Sequence, residues 1–264
     1  MVTNSNKRFL RFVTLCLLCG SLFLTACDKR ELFDGPNAFE DGFESYSTLE
    51  DLLPEGDSLW SFTQITLEGN SITVDSTFAH TGSRCLRFED VGTQGDNLSK
   101  CSIVKQKMAF WEGEVVNYSF WAYLESGSEA DWLFLSDLEE QAAISAGPGM
   151  RLAIVGDSAL VTEHKYPNPN LHQEEGEVVT SPRDEWVLIE FAADLSQKKE
   201  GYVRVWQDNQ LIISQDDWQT LPKDILTFQQ GTKGMYSSIE IGITANPGSQ
   251  PHVLYIDDFR IGLR

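Results

Sequence analysis

The sequence predicts an all-β fold, a two-sheet antiparallel β-sandwich, on three observations. Short runs alternating apolar and polar residues recur through most of the chain. Turn-forming residues separate them, and no long stretch shows helical periodicity. Strands without intervening helices favour an antiparallel sandwich over a parallel α/β sheet. The 264 residues suffice for one large sandwich or two small domains.

In chain order, Lys7, Arg8 and Arg11 precede an apolar run, residues 12–24. That run is shorter than the ~20 apolar residues a membrane-spanning helix needs, so it reads as a signal peptide. Leu24-Thr25-Ala26-Cys27 follows and resembles the bacterial lipobox, whose cysteine is diacylated and becomes the new N-terminus. The resemblance implies a lipoprotein of the bacterial cell envelope, held on the outer membrane or cell surface through Cys27. The alternative is an ordinary signal peptide cleaved near Ala26. The expected organisation is a signal over residues 1–26, a polar lipidated tether over 27–38 with Gly35-Pro36 inside it, and the sandwich over 39–264.

Eleven runs are expected as strands: Ser71–Asp75, Cys85–Glu89, Cys101–Met108, Val115–Leu124, Asp131–Asp137, Arg151–Val155, Ala159–Tyr166, Glu185–Phe191, Tyr202–Ser214, Ser237–Thr244 and His252–Ile261. Gly156-Asp157 reads as a hairpin turn. Single helical turns are expected near Thr48–Leu53 and Leu221–Phe228. Period-2 alternation assigns faces. In Val115–Leu124 the core side is Val116, Tyr118, Phe120, Ala122 and Leu124, with Asn117, Ser119, Trp121 and Tyr123 opposite. Val203 and Val205 oppose Tyr202, Arg204 and Trp206. Ile239, Ile241 and Ile243 oppose Tyr236, Ser238 and Glu240. Aromatic rings among polar side chains on a non-core face suit a sugar, since rings stack on pyranose C–H faces while neighbours bind hydroxyls. The competing reading covers these rings with loops.

The formal charge is −20, and the first 26 residues hold three basic and no acidic residues, leaving −23 on the remainder. Such a chain repels nucleic acid, which is excluded as a partner, and takes a polyanionic glycan only through a local basic groove. With Cys27 assigned to lipid, Cys85 and Cys101 remain beyond the signal. They flank the turn-rich residues 91–97, and an exported domain favours a disulfide between them, with two separate buried thiols as the alternative.

The second half carries a family resemblance. Trp186 is followed by Gly201-Tyr-Val-Arg-Val-Trp-Gln-Asp-Asn-Gln-Leu-Ile212, Gly234-Met-Tyr236 and Leu254-Tyr-Ile-Asp-Asp-Phe-Arg-Ile261. This order resembles the concanavalin A-like jelly rolls of heparin lyase I-type polysaccharide lyases and the related laminin-G-like domains, over roughly residues 39–264. Alginate- and glucuronan-type lyases of that fold carry Arg-x-Glu-Leu, Gln-x-His and Tyr-x-Lys-x-Gly-x-Tyr strands. Here Arg87-Phe88-Glu89 matches the first in part, Leu133-Phe-Leu-Ser-Asp137 lacks the second, and Lys233-Gly234-Met235-Tyr236 keeps part of the third.

The resemblance implies catalysis by Tyr236, Arg87 and His164 and a binding role for Lys233, while the non-core strand faces assign polysaccharide binding to Trp121, Tyr123, Arg204 and Trp206. His164 and its neighbour Lys165 must face opposite ways on a strand, so both cannot serve. A second resemblance, to jelly-roll carbohydrate-binding modules, rests on Phe43-Glu44, Ala79-His-Thr-Gly-Ser-Arg-Cys-Leu86 and Ile256-Asp-Asp258. It implies a structural calcium held by Glu44, Asp257 and Asp258, with solvated or amide-bonded acids as the alternative. The expected function is binding of extracellular polysaccharide on a concave sheet face. The alternatives are a lyase that eliminates across uronates and a structural or adhesive surface protein.

Overall fold

The computed structural model describes residues 35–53, 59–141, 146–156, 159–222 and 234–264. The expected signal, Cys27, most of the tether and Lys233 lie outside the described residues, as does the Leu221–Phe228 turn from residue 223 onward. Among the described residues the strands are β1 (Ala38–Asp41), β2 (Phe62–Ile65), β3 (Ser71–Asp75), β4 (Cys85–Glu89), β5 (Ser99–Lys105), β6 (Phe110–Trp111), β7 (Val115–Leu124) and β8 (Leu133–Gln141). They continue with β9 (Ala146–Val155), β10 (Ala159–His164), β11 (Trp186–Asp194), β12 (Gly201–Gln207), β13 (Gln210–Trp218), β14 (Met235–Tyr236), β15 (Ser238–Asn246) and β16 (Val253–Leu263). A 3-10 turn, Glu50–Leu52, stands where one turn of helix was expected.

An eight-stranded sheet runs β13-β12-β11-β7-β16-β4-β3, with β1 also on β16, and a six-stranded sheet runs β10-β9-β8-β15-β5-β2. All the pairings are antiparallel. The fold is a β-sandwich jelly roll. Alternation dictates what fills its middle. Val116, Tyr118, Phe120, Ile189, Phe191, Val203, Val205, Leu254 and Ile256 come from one sheet, and Ile103, Leu138, Leu152, Ile239, Ile241 and Ile243 from the other, all buried. Each such aliphatic or aromatic side chain contributes ~1.5–3 kcal/mol on leaving water. Tyr118 Oη and Ser136 Oγ, 2.8 Å apart, satisfy each other across the core.

The run expected as one strand from Tyr202 to Ser214 is a hairpin. Asp208 and Asn209, at φ 49° and 64°, form its two-residue turn. Asp and Asn tolerate the left-handed region, and that geometry matches the twist of paired strands.

The disulfide expectation is corrected: Cys85 and Cys101 are separate buried thiols. The segment between them crosses from one sheet to the other, so β4 and β5 are not neighbours. Cys85 Sγ bonds the Phe78 carbonyl oxygen and Cys101 Sγ that of Ser71. Burial pushes the Cys85 thiol far up and the Cys101 thiol up to about 12, so neither is a ready thiolate.

Candidate functional site

With Ile239, Ile241 and Ile243 turned inward, β15 points Ser238 and Glu240 to the outer face of the six-stranded sheet. Register places Glu240 opposite Asp137 on β8, Asp137 opposite Arg151 on β9, and Arg151 opposite Glu163 on β10. Four strands thus lay four charged side chains in one row. The next row holds Ser238, Glu139 and Gly149. A Cβ on Gly149 would lie 2.3 Å from the Leu138 carbonyl oxygen and 2.6 Å from Glu139 Cβ, so glycine lets the strands close there. Lys165, just past β10, donates its backbone N–H to the Gly149 carbonyl and brings its ammonium into the same row.

Lys165 Nζ lies 2.6 Å from Glu139 Oε2 and 2.8 Å from Asp137 Oδ2. Arg151 Nε is 3.2 Å from Asp137 Oδ2, and its Nη1 is 3.5 Å from Glu163 Oε2. Asp137 has no side-chain exposure, and neither of its oxygens receives a well-directed hydrogen bond. It is held by the two cations as an ion-pair hub. On the β5 side, Ser102 Oγ and Gln64 Nε2 donate to the two oxygens of Glu240, and Lys100 Nζ donates to Gln64 Oε1.

Past a register shift between Phe134 and Ser136 the same face turns apolar. Phe134, Ala153 and Ala245 are buried together, with Trp132 and Val155 against them. The Trp132 and Phe134 rings are 6.0 Å apart, and Arg151 Cζ stands 4.5 Å over the Phe134 ring. One face therefore joins an aromatic strip to a charged centre, with Arg151 at the seam.

Burial raises the Glu139 carboxyl, and Asp137 adds to the rise while Lys165 opposes it. Burial, then Asp137, lifts Glu240 to about 7. At Lys165 burial opposes the charge, but Asp137 and Glu139 outweigh it and hold the ammonium above its usual value. Lys100, Arg151 and Lys165 face Asp137, Glu139, Glu163 and Glu240, so this face is close to neutral in a chain carrying −20. An anionic sugar meets less repulsion here than over most of such a surface.

The expected catalytic group does not assemble. Arg87 sits on the outer face of the eight-stranded sheet, paired with Glu89 Oε2 at 2.6 Å and Tyr255 Oη at 3.2 Å. His164 turns away from that outer row, and its Nε2 accepts from Trp218 Nε1 at 3.0 Å. Burial lowers its pKa to about 4, which keeps it neutral. Tyr236 is fully buried and donates to the Thr220 carbonyl at 2.6 Å, its phenol held well above the usual value by burial and by Tyr166. Three positions read as one site are thus an outer face, an inward strand position and the interior.

Of the expected binding residues, Trp121, Tyr123, Arg204 and Trp206 do share a face, the outer side of the eight-stranded sheet. Loop residues cover part of it. The His80 ring stacks 3.7 Å from Trp121, and Phe78 packs on Tyr123, Trp186 and Tyr255. Arg204 is tied to the Val203 and Gln215 carbonyls and to Asp216.

The acids expected to hold calcium are engaged by donors of one loop. Glu44 accepts the Ser83 and Arg84 amides and Ser83 Oγ, and those amide bonds lower its pKa. Asp257 accepts the His80 and Thr81 amides, and Asp258 accepts Thr81 Oγ. These carboxylates pin the 80–84 loop by binding donors. Among the described residues, no group of three or more His, Cys, Asp or Glu is placed to share a metal ion.

The charged row was partly visible in the sequence. Asp137 and Glu139, and Glu163 and Lys165, each alternate within apolar strands. Charges spaced by two in such strands mark one face. What was missing was the order of the strands.

Comparison with known proteins adds three findings. The profile of a family described as polysaccharide lyase matches residues 54–260. Among solved structures, an endo-β-1,4-glucuronan lyase from the fungus Trichoderma reesei aligns with TM-score 0.59 at 13% identity, covering 78% of this chain and 91% of that one. The cellulose-induced protein Cip1 gives 0.58 at 13%, covering 85% and 96%. An alginate lyase from Chlorella virus gives 0.50 at 13%, covering 83% and 99%. At these identities the structural likeness shows the fold alone. No curated protein matches the chain significantly.

Proposed function

Because the chain belongs to the polysaccharide lyase family, we propose that it engages a uronate-containing polysaccharide along the outer face of its six-stranded sheet and cleaves it by β-elimination. One observation carries this reading: Arg151 and Lys165 converge on the buried Asp137 carboxylate beside the Trp132 and Phe134 rings. The half-buried Trp132 ring, backed by the buried Phe134, offers a stacking surface for a sugar, and the two cations offer partners for its carboxylate.

Elimination needs the uronate carboxylate neutralised, the C5 proton removed and the leaving oxygen protonated. We assign Arg151 and Lys165 to the first task. Glu139 takes the second, since its carboxyl is raised and its side chain, 11% exposed, is more open than that of Asp137 at 0%. A substrate carboxylate that draws Lys165 away leaves Glu139 less compensated and more basic at the moment of reaction. The C5–H electron pair forms the C4–C5 double bond, the C4–oxygen bond breaks, and the proton taken by Glu139 passes to the leaving oxygen.

A second reading, binding without cleavage, is supported by the placement of His164 and Tyr236 away from this face. The test mixes the chain with alginate and with polyglucuronate and follows absorbance near roughly 235 nm, where only the unsaturated product absorbs, alongside binding. Growth of absorbance, lost about a hundredfold or more in Glu139→Gln, supports the lyase. Binding without absorbance selects the second reading, and neither binding nor absorbance overturns both. We also propose that Cys27 carries lipid and anchors the domain to a bacterial envelope membrane, on the strength of the residues 24–27 and the basic and apolar stretch before them.

A further inference from the structure

We propose a second glycan-binding site on the opposite side of the sandwich, a pocket at Trp206 that takes one hexose unit of a neutral polysaccharide. On the outer face of the eight-stranded sheet, register aligns Ser119, Glu190 and Trp206 across β7, β11 and β12. The neighbouring row places Asn117 opposite Ala192 and, on the other side, opposite Gly262. Two nearly absent side chains beside Asn117 leave a hollow of about 300 Å³, lined by Asn117, Ser119, Glu190, Ala192, Trp206 and Arg264. That is the lower end of small-ligand pockets.

Two features separate this hollow from the rest of the sheet. Trp121, Tyr123, Trp186 and Tyr255 each stack on Phe78, His80 or one another, whereas the Trp206 ring has no ring partner among the described residues. The side chains of Asn117, Ser119, Glu190 and Arg264 likewise have no hydrogen-bond partner among the described residues. A half-buried indole face beside unengaged donors and acceptors is the chemistry of pyranose recognition: the ring stacks on C–H, the polar groups take hydroxyls. The Glu190 carboxylate accepts from sugar hydroxyls and the Arg264 guanidinium donates to them, and because the two charges offset, the hollow suits an uncharged sugar. The site is independent of the charged face, since it lies on the other sheet.

The test titrates the full chain with cellohexaose, laminarihexaose and mannohexaose, by calorimetry and tryptophan fluorescence. At least one is bound by the parent. Trp206→Ala weakens that binding about tenfold, the loss of one stacking ring. Ala192→Leu, which fills the hollow and removes nothing, weakens it as much and guards against a misfolded Trp206→Ala. Ile65→Ala, at an exposed position of the other sheet, leaves it unchanged. The proposal is overturned if none of the three oligosaccharides binds, if Ala192→Leu binds like the parent, or if Ile65→Ala abolishes binding.

Discussion

Replacing Lys165 by Met should destabilise the fold by about 3 kcal/mol at neutral pH. Lys165 neutralises two carboxylates at once, with Nζ 2.6 Å from Glu139 and 2.8 Å from the fully buried Asp137. Removing one partner of a buried pair costs ~3–5 kcal/mol, because the remaining charge stays in a poor solvent. Arg151 Nε remains 3.2 Å from Asp137, so the lower end applies. For a domain of this size each kcal/mol moves Tm by ~2–4 °C, so a fall of roughly 6–12 °C is expected. Methionine keeps most of the stem volume, which confines the change to charge. The deficit should shrink as the pH falls toward 5. The Glu139 carboxyl is raised by burial and by Asp137, so it takes up a proton early and then needs no cation. Thermal unfolding of both chains between pH 5 and 8, followed by circular dichroism, measures this. A loss below about 1 kcal/mol, or a deficit that stays constant on acidification, would refute the picture of Lys165 as the cation of a buried carboxylate pair.

Glu240→Gln should flatten the pH dependence of stability. In the parent the folded carboxyl titrates at about 7 and the unfolded one near 4.5, so the native state binds the extra proton and stability falls as pH rises through that window; equal slopes in the two chains would contradict the assignment. Dithiothreitol should leave Tm within about 1 °C of its value without reductant, since no Cys85–Cys101 bond is there to break, and a drop of several degrees would restore the disulfide. Tyr118→Phe should cost ~1–3 kcal/mol in chemical denaturation, because it strands Ser136 Oγ in the core; a neutral result would mean Ser136 finds another partner. Cys27→Ala should move the full chain from the detergent to the aqueous phase, and unchanged partitioning would remove the lipid anchor.

The fold was legible because alternation is local. Val115–Leu124 shows inward and outward positions residue by residue, and the burial pattern of β7 follows them. β1 and β2, four residues each, were too short to carry a period, and the Asp208-Asn209 turn was overrun because apolar residues continue on both sides of it. The site was legible only in fragments. Alternation shows that Asp137 and Glu139 share a face, but not that Glu240, about a hundred positions away, stands beside Asp137. Tyr236 was placed opposite the isoleucines by extending the period of β15 backward. The chain breaks that period at Ser237, pairs Tyr236 with Phe110 and carries it inside.

The two strands written last in the chain occupy the middles of the two sheets. β15 lies between β8 and β5, and β16 lies between β7 and β4 and also holds β1. Until both are in place neither sheet is continuous, and the charged row is missing Glu240. Synthesis or threading that proceeds from the N-terminus therefore delivers a chain that cannot complete its native structure before the last residues emerge. Pairings of such long sequence separation also form slowly once the chain is whole. A chain stopped short of Val253 would present two halves of the eight-stranded sheet with bare edges rather than a smaller version of the same protein.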